Sequence, residues 1–299
     1  MTDTPFGSED KVGAQAIKGR SLWSDAWHRL LQNKAAVTAM IILAIIAILC
    51  VFGPMLTPHS IDAINWSAIS QPPTVDNFYI FGTDGNGRDL LTRVLMGGRV
   101  SLMIGIIATL VSLIIGVTYG AVAGYFGGRI DTLMMRFVDI LYSLPFMFFV
   151  ILLIVVFGRN FILIFVAVGA VEWLDMARIV RGQTLSVRRR EFIEAAQASG
   201  VSNFNIIRRH VIPNTLGPVI VYMTLTVPKV ILLESFLSFL GLGIQEPMTS
   251  WGVLIKEGAD NMESAPWMLI FPGIFLAATL YCLNFIGDGL RDALDPKDR

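Results

Sequence analysis

Six long apolar runs alternate with polar segments along the chain, at residues 35–56, 100–124, 139–157, 160–180, 215–240 and 267–287. Each run is close to the ~20 residues that an α-helix needs to cross the hydrocarbon of a bilayer. The first run carries no charge from Ala35 to Phe52, and no small-x-small cleavage site follows it, so we interpret it as a retained anchor. The pattern predicts an all-α, polytopic membrane protein with about six transmembrane helices.

The segments between the runs predict the remaining organisation. In the N-terminal tail, apolar residues from Leu22 to Leu31 recur on one helical face, which predicts either an interfacial helix or, equally, a helix packed on other protein. The predicted units are a cytoplasmic N-terminal tail (1–34), a first transmembrane helix (35–56), an external loop (57–99), a five-helix transmembrane core (100–290) that includes a cytoplasmic loop (182–213), and a cytoplasmic C-terminal tail (291–299).

Composition and charge placement agree with a membrane protein. The chain is 54% hydrophobic and 15% charged, whereas a soluble domain carries about 25% charged residues. Basic and acidic residues balance at 23 each, so net charge offers no indication of nucleic-acid binding. About 17 of the Lys and Arg residues fall on one face of the predicted topology, and the positive-inside rule then places both termini in the cytoplasm.

Neither the cysteines nor the histidines predict a metal site or a disulfide. Cys50 and Cys282 each lie alone in an apolar run, as small buried side chains do. His28, His59 and His210 are far apart and lack the spacing of metal ligands.

Two other patterns predict local structure. Small residues recur mostly every four positions in the second run, which predicts close approach of another helix from this chain or a partner: Ser101, Gly105, Ser112, Gly116, Gly120, Gly124 and Gly128. Residues 81–89 hold three glycines and predict an ordered surface turn. They do not form a dinucleotide fingerprint, because Leu90 replaces the third glycine and no βαβ unit surrounds them.

Ionisable residues inside apolar runs are costly and often functional. A polar stripe from Arg129 to Ser143 includes Asp139, which we expect to pair with Arg136; the stripe could line an aqueous path or be a solvated cytoplasmic face. Further ionisable residues in or near the runs are Glu172, Asp175, Lys229 and Glu234. Lys229 is as compatible with snorkelling or facing a cavity as with contacting a substrate.

The arginine-rich segment from Arg181 to Pro213 is too polar to cross lipid. Glu191 to Ser199 predicts a short helix with Phe192, Ala196 and Ser199 on one face, and Gly200 can end it in the left-handed conformation. Ser202 can cap a second helix with Phe204, Ile207 and Val211 together, before Pro213 starts the next run. The result is a helix-turn-helix elbow, which is either a docking surface or an ordinary intracellular loop.

The elbow sequence Glu194-Ala195-Ala196-x-x-x-Gly200, followed by His210-Val211-Ile212-Pro213, resembles the cytoplasmic coupling loop of bacterial ABC importer permeases. Further segments resemble the dipeptide, oligopeptide and nickel permeases: Phe81-Gly82-Thr83-Asp84, Gly87-Arg88-Asp89, Ala177-Arg178-Ile179-Val180-Arg181, Glu234-Ser235, residues 237–243, Ser250-Trp251-Gly252 and residues 287–296. The resemblance covers roughly residues 20–299. Within the family, residues 19–23, 173–178 and 295–299 are most similar to the C subunits of oligopeptide permeases.

The resemblance implies a permease subunit of an ATP-driven importer for oligopeptides in the bacterial inner membrane. It implies as partners a second homologous permease subunit, two ATP-binding subunits that hold ATP and Mg, and an external peptide-binding protein, with no cofactor bound by this chain. It assigns coupling to the ATPases to Glu191, Glu194, Ala195, Ala196, Gly200, Val201, His210 and Pro213.

Two alternatives come from other functional classes. An ion-coupled secondary transporter could use Glu172, Asp175, Lys229 and Glu234 as a proton relay, although the elbow would then lack a purpose. A membrane-embedded enzyme has no nucleophile, base or metal constellation in the runs to support it. ATP binding by the chain itself is not expected, because none of the six lysines follows a glycine, as a phosphate-binding loop requires.

Overall fold

The computed structural model describes residues 22–158 and 161–294, and within these ranges it contains α-helices, short 3₁₀ turns and no β-strand. The all-α expectation is therefore confirmed for the described chain. Ser21 and both extreme tails lie outside it. The helices are α1 (Leu22–Gln32), α2 (Lys34–Leu56), α3 (Leu90–Phe126), α4 (Gly128–Ser143), α5 (Phe146–Phe157), α6 (Phe161–Val187), α7 (Glu191–Ala198), α8 (Asn203–Ile206), α9 (Ile212–Phe239), α10 (Trp251–Asp260) and α11 (Trp267–Leu294).

Among the described residues, four helices are long and apolar enough to cross a membrane: α2, α3, the continuous helix Asn203–Phe239, and α11. Helix α3 begins at Leu90, ten residues before the predicted span, because the carboxylate of Asp89 caps it by accepting a hydrogen bond of 2.8 Å from the Thr92 amide. Part of the predicted external loop is therefore helical.

Pro145 interrupts the predicted span over residues 139–157. Helix α4 ends at Ser143, Leu144 is extended, and α5 begins at Phe146 after Pro145. The break has a steric cause, since a proline ring disfavours helical backbone in the residue before it. With 12 residues, α5 is about 18 Å long and shorter than the hydrocarbon layer.

Helices α3 and α6 pack in parallel through the glycines that the sequence singled out. A Cβ added at Gly116 would lie 2.5 Å from Cβ of Met176, and one at Gly124 would lie 2.7 Å from Cβ of Thr184. The helix that approaches the small residues thus belongs to this chain. Two glycines differ: a Cβ at Gly105 would lie 2.6 Å from Cγ1 of Ile231 in α9, and Gly128 starts α4 with no atom within 4 Å of where its Cβ would be.

Contacts between helix ends divide the bundle into two sides. The guanidinium of Arg188, just after α6, donates to the carbonyl oxygen of Phe126 at the end of α3 (3.3 Å). Gly289 near the end of α11 packs on Ala36 at the start of α2. Helices α2 and α3 are antiparallel, with Cys50 against Gly98. One side therefore carries α1, the ends of α3, α6 and α11, and the elbow; the other carries residues 57–89, α10 and the loops that flank it.

Helix α1 packs on the first of these sides. Ala26 and Leu30 are buried with Ala36 and Ala293, as expected of a helix packed on protein. Trp27 is 57% exposed on the same helix. Leu31 is 47% exposed, so two large apolar side chains of α1 remain outside this packing.

The segment from Phe81 to Asp89 is an ordered turn, as expected, with an exposed tip at Gly85 and Asn86 and a largely buried base. Oδ1 of Asp84 accepts hydrogen bonds of 2.8 Å from the amides of Asn86 and Arg88. Oδ2 accepts from Arg93, whose guanidinium also binds Glu257 of α10 at 2.5 and 2.9 Å. Burial disfavours the charge of Arg88, but its hydrogen bonds to Asp84 and Glu246 outweigh this and raise its pKa. This network ties the turn to α3 and α10.

Candidate functional site: the elbow and an intramembrane charge cluster

The bend of the elbow is a left-handed helix end at Gly200. Gly200 has φ +78°, and its amide donates to the carbonyl oxygen of Gln197 (3.0 Å) while the amide of Val201 donates to that of Ala196 (3.1 Å). This pair of bonds is the Schellman motif, in which glycine is favoured because it has no Cβ to clash. The predicted bend at Gly200 is confirmed.

Within the elbow, the side chains grouped by helical spacing differ in burial. Ile193 and Ala196 of α7 are buried, whereas Phe192 is 39% and Phe204 is 70% exposed. Ser202 stands at the start of α8 but makes no capping hydrogen bond through its side chain. The predicted separate second helix is instead the first turn of the long helix Asn203–Phe239.

A π-helical turn at Ile207–Val211 joins α8 to α9. The amide of Ile212 donates to the carbonyl oxygen of Ile207, five residues back. Phe204 lies before this turn, in α8, and is exposed, whereas Ile207 and Val211 are buried.

The elbow packs on α3, α6 and α9. Its buried residues form one core with residues of α3, α6 and α9, namely Val117, Ala121, Tyr125, Met176, Val180, Val187, Ile193, Ala196, Ile206, Ile207, Val211 and Val219. The hydroxyl of Tyr125 donates to Oδ1 of Asn203 (2.9 Å) and accepts from Nε2 of Gln197 (3.3 Å). A displacement of the elbow would therefore be transmitted to three helices together.

The residues that the sequence assigned to coupling divide by exposure. Five are exposed: Glu191, Glu194, Ala195, Gly200 and Pro213. Ala196 is buried and serves the internal packing of the elbow, while Val201 and His210 are partly buried. Sequence reasoning grouped Phe204 with Ile207 and Val211 and did not find Tyr125; the only signal for Tyr125 was its position at the end of an apolar run.

A second cluster of functional candidates lies between α6 and α9. Nζ of Lys229 is 3.0 Å from Oε2 of Glu172 and 3.2 Å from Oδ2 of Asp175. Glu172 and Asp175 are one turn apart on α6, so both reach the same ammonium. The side chain of Glu172 is 2% exposed, that of Asp175 is 25% and that of Lys229 is 53%.

The cluster lines a cavity of about 860 Å³ between the α4–α5 break, α6 and α9. Glu172, Asp175 and Lys229 are the charged residues among the described ones that line it. The other lining residues are aliphatic or aromatic: Phe137, Leu141, Tyr142, Leu144, Pro145, Phe149, Val171, Trp173, Leu174, Leu232, Leu233 and Phe236.

Asp139 and Glu234 lie outside this cluster. Asp139 pairs with Arg178 of α6 at 2.8 Å rather than with Arg136 as predicted. Glu234 is buried and accepts hydrogen bonds from Ser101 of α3 (3.1 Å) and Ser238 (2.7 Å). Of the four residues of the hypothetical proton relay, three therefore meet and Glu234 stands apart in a hydroxyl-lined site.

Comparisons with known proteins agree with these features. Residues 116–299 match the family described as binding-protein-dependent transport system inner membrane component, and residues 21–73 match the N-terminal transmembrane domain of oligopeptide transport permease C.

Full-length relatives are similar over almost the whole chain. An oligopeptide transport system permease protein OppC of Haemophilus influenzae is 57% identical over 97% of this chain and 93% of its own. The OppC protein of Salmonella typhimurium is 59% identical over 95% and 94%. A dipeptide transport system permease protein DppC of Bacillus subtilis is 48% identical over 98% and 92%.

Proposed function

Because this chain belongs to the family of inner membrane components of binding-protein-dependent transport systems, we propose that it is a permease subunit of an ATP-driven importer of oligopeptides, coupled to its motor through the elbow. The observation that carries the coupling role is the elbow itself: a fixed bend with exposed Glu194, Ala195 and Phe204, packed on three membrane helices.

The chain crosses the bilayer six times in this proposal. Helices α3 and α6 run parallel, so the segment between them must return to the side where α3 began. The end of α4 together with α5 is the segment available for that return. The crossings are then α2, α3, broken α4–α5, α6, the helix Asn203–Phe239, and α11.

The elbow side faces the cytoplasm in this proposal, and both termini lie there. Its support is the concentration of arginine around the elbow, at residues 188–190, 208 and 209, because cytoplasmic segments are enriched in basic residues. The side with residues 57–89 and α10 would then face the periplasm and receive peptide from the external binding protein.

Energy arrives from partner subunits that bind ATP and Mg. Closure of two ATPase subunits pulls the elbow, and its shared core with α3, α6 and α9 rocks these helices, so that a central path opens alternately to each side. A second homologous permease subunit completes the path. The path is aqueous, because a peptide has charged ends. Selection among peptides is left mainly to the external binding protein.

The experiment that tests this function is peptide uptake by proteoliposomes that contain the purified complex and the binding protein. We expect uptake that requires ATP and survives an ionophore that collapses the proton gradient. The cluster of Glu172, Asp175 and Lys229 would also suit a proton-coupled carrier, so uptake that persists without ATP and stops with the ionophore would refute the importer.

A matched pair of variants tests the elbow. Glu194→Arg reverses an exposed charge on α7, and we expect it to release the ATPase subunits during purification. Arg291→Glu makes a comparable change on the exposed end of α11, on the same side of the bundle, and we expect it to retain them. Equal retention by both variants would contradict coupling through the elbow.

A further inference from the structure

The charge cluster lies near the middle of the bundle. Asp175 is 14 residues into α6, or about 21 Å from its start, and Lys229 is ten residues, or about 15 Å, from the end of α9. Charged side chains at this depth face a bundle interior or a water-filled path rather than lipid. The cavity beside the cluster is therefore a space that a polar molecule can enter.

We propose that this cavity holds a subsite for the α-ammonium group of the transported peptide, with Asp175 as the carboxylate that binds it; this inference rests on the proposed function. Lys229 lies between two carboxylates, so with both ionised it neutralises one of them and one negative charge remains. A bound ammonium brings the cluster to neutrality, whereas a bound carboxylate would bring it to a charge of minus two. At low dielectric the neutral arrangement is strongly favoured.

Exposure identifies Asp175 as the residue that meets the peptide. The side chain of Glu172 is 2% exposed and is held behind Lys229, whereas that of Asp175 is 25% exposed towards the cavity. A buried carboxylate that holds Lys229, beside an accessible carboxylate that can contact a ligand, suits a site that binds and releases its ligand. Glu172 positions the ammonium of Lys229, and Asp175 contacts the substrate.

The rest of the cavity fits the chemical class of the ligand. Every peptide with a free N-terminus carries one α-ammonium, whatever its sequence, so a single carboxylate recognises the class. Among the described residues the surrounding walls are mainly aliphatic and aromatic, as Leu141, Leu232 and Phe236 illustrate, and apolar walls of this kind tolerate many different side chains. The subsite therefore combines recognition of a peptide end with tolerance of sequence.

The test is uptake of tri-alanine and N-acetyl-tri-alanine by proteoliposomes with ATP, each peptide at a concentration that saturates the binding protein. For Asp175→Asn we expect uptake of the free peptide to fall about tenfold, as for loss of one charge-assisted hydrogen bond, and uptake of the acetylated peptide to change less than about twofold. Asp175→Glu retains the charge and should retain the preference. Asp292→Asn, the same change at an exposed position near the end of α11, should not alter the ratio.

The outcomes distinguish a failure of the ammonium subsite from a failure of the proposed import function. If Asp175→Asn slows both peptides equally, or neither, the ammonium subsite is wrong even though the wild-type complex imports peptide. If Asp175→Glu loses the preference as Asp175→Asn does, the charge is not the cause and the proposal also fails. If the wild-type complex imports neither peptide with ATP, the proposed function itself is wrong.

Discussion

Replacing Gly200 with alanine isolates the backbone strain at the bend of the elbow. No atom lies within 4 Å of where the new Cβ would be, so the substitution introduces no clash with neighbouring residues. The cost comes from φ +78°, which an L-residue with a Cβ adopts at about 1–2 kcal/mol. The two amide hydrogen bonds that close the turn each contribute about 0.5–1.5 kcal/mol net, so the strain is comparable to what holds the turn.

Hydrogen exchange of the amides at positions 200 and 201 measures this strain in the purified complex. A shift of 1–2 kcal/mol raises the population of the opened turn by about 5–30-fold, and exchange should accelerate by that factor. Gly182→Ala is the matched control, because its Cβ also meets no atom within 4 Å but lies inside α6, where alanine is favoured over glycine by about 1 kcal/mol. Unchanged exchange in Gly200→Ala, or equal acceleration in both variants, would refute the reasoning.

Three further changes address other parts of the molecule. Arg93→Met leaves buried Asp84 without its α3 partner and should lower the free energy of unfolding by about 3 kcal/mol, measured by thermal denaturation in detergent. Gly120→Leu should destabilise the α3–α6 contact by about 1–3 kcal/mol in the same assay, whereas Gly273→Ala, with open space around it, should not. Tyr125→Phe removes both hydrogen bonds to the elbow; we expect peptide transported per ATP hydrolysed to fall while ATP hydrolysis continues.

Features that depend on local backbone or on helical spacing could be predicted from the sequence. Gly200 follows a short amphipathic helix, and only a residue without a Cβ adopts its φ without cost, so the bend was predictable. The glycines of α3 were predicted to meet another helix because they recur every four residues. Sequence spacing cannot show which helix they meet. The contacts of Gly116, Gly120 and Gly124 show that it is α6 of this chain.

Features that depend on partners distant in sequence could not be predicted. Asp139 was paired with Arg136 because they are three residues apart, yet Arg178, 39 positions away, is its partner. Lys229 meets Asp175 across 54 positions of sequence, and nothing in the local pattern of either residue indicates this. Phe204 is exposed and Ile207, three residues later, is buried, so helical spacing grouped two side chains that tertiary packing separates.

Coupling through the elbow is tested most directly by a photo-crosslinking amino acid placed at Phe204 in the assembled complex in membranes. Phe204 is 70% exposed on the elbow, and Tyr281, 66% exposed on α11, serves as the control position. We expect a covalent adduct between position 204 and an ATP-binding subunit, with a yield that changes when nucleotide is added, and no such adduct at position 281. Absence of the adduct at 204 in a complex that transports peptide with ATP would contradict coupling through the elbow.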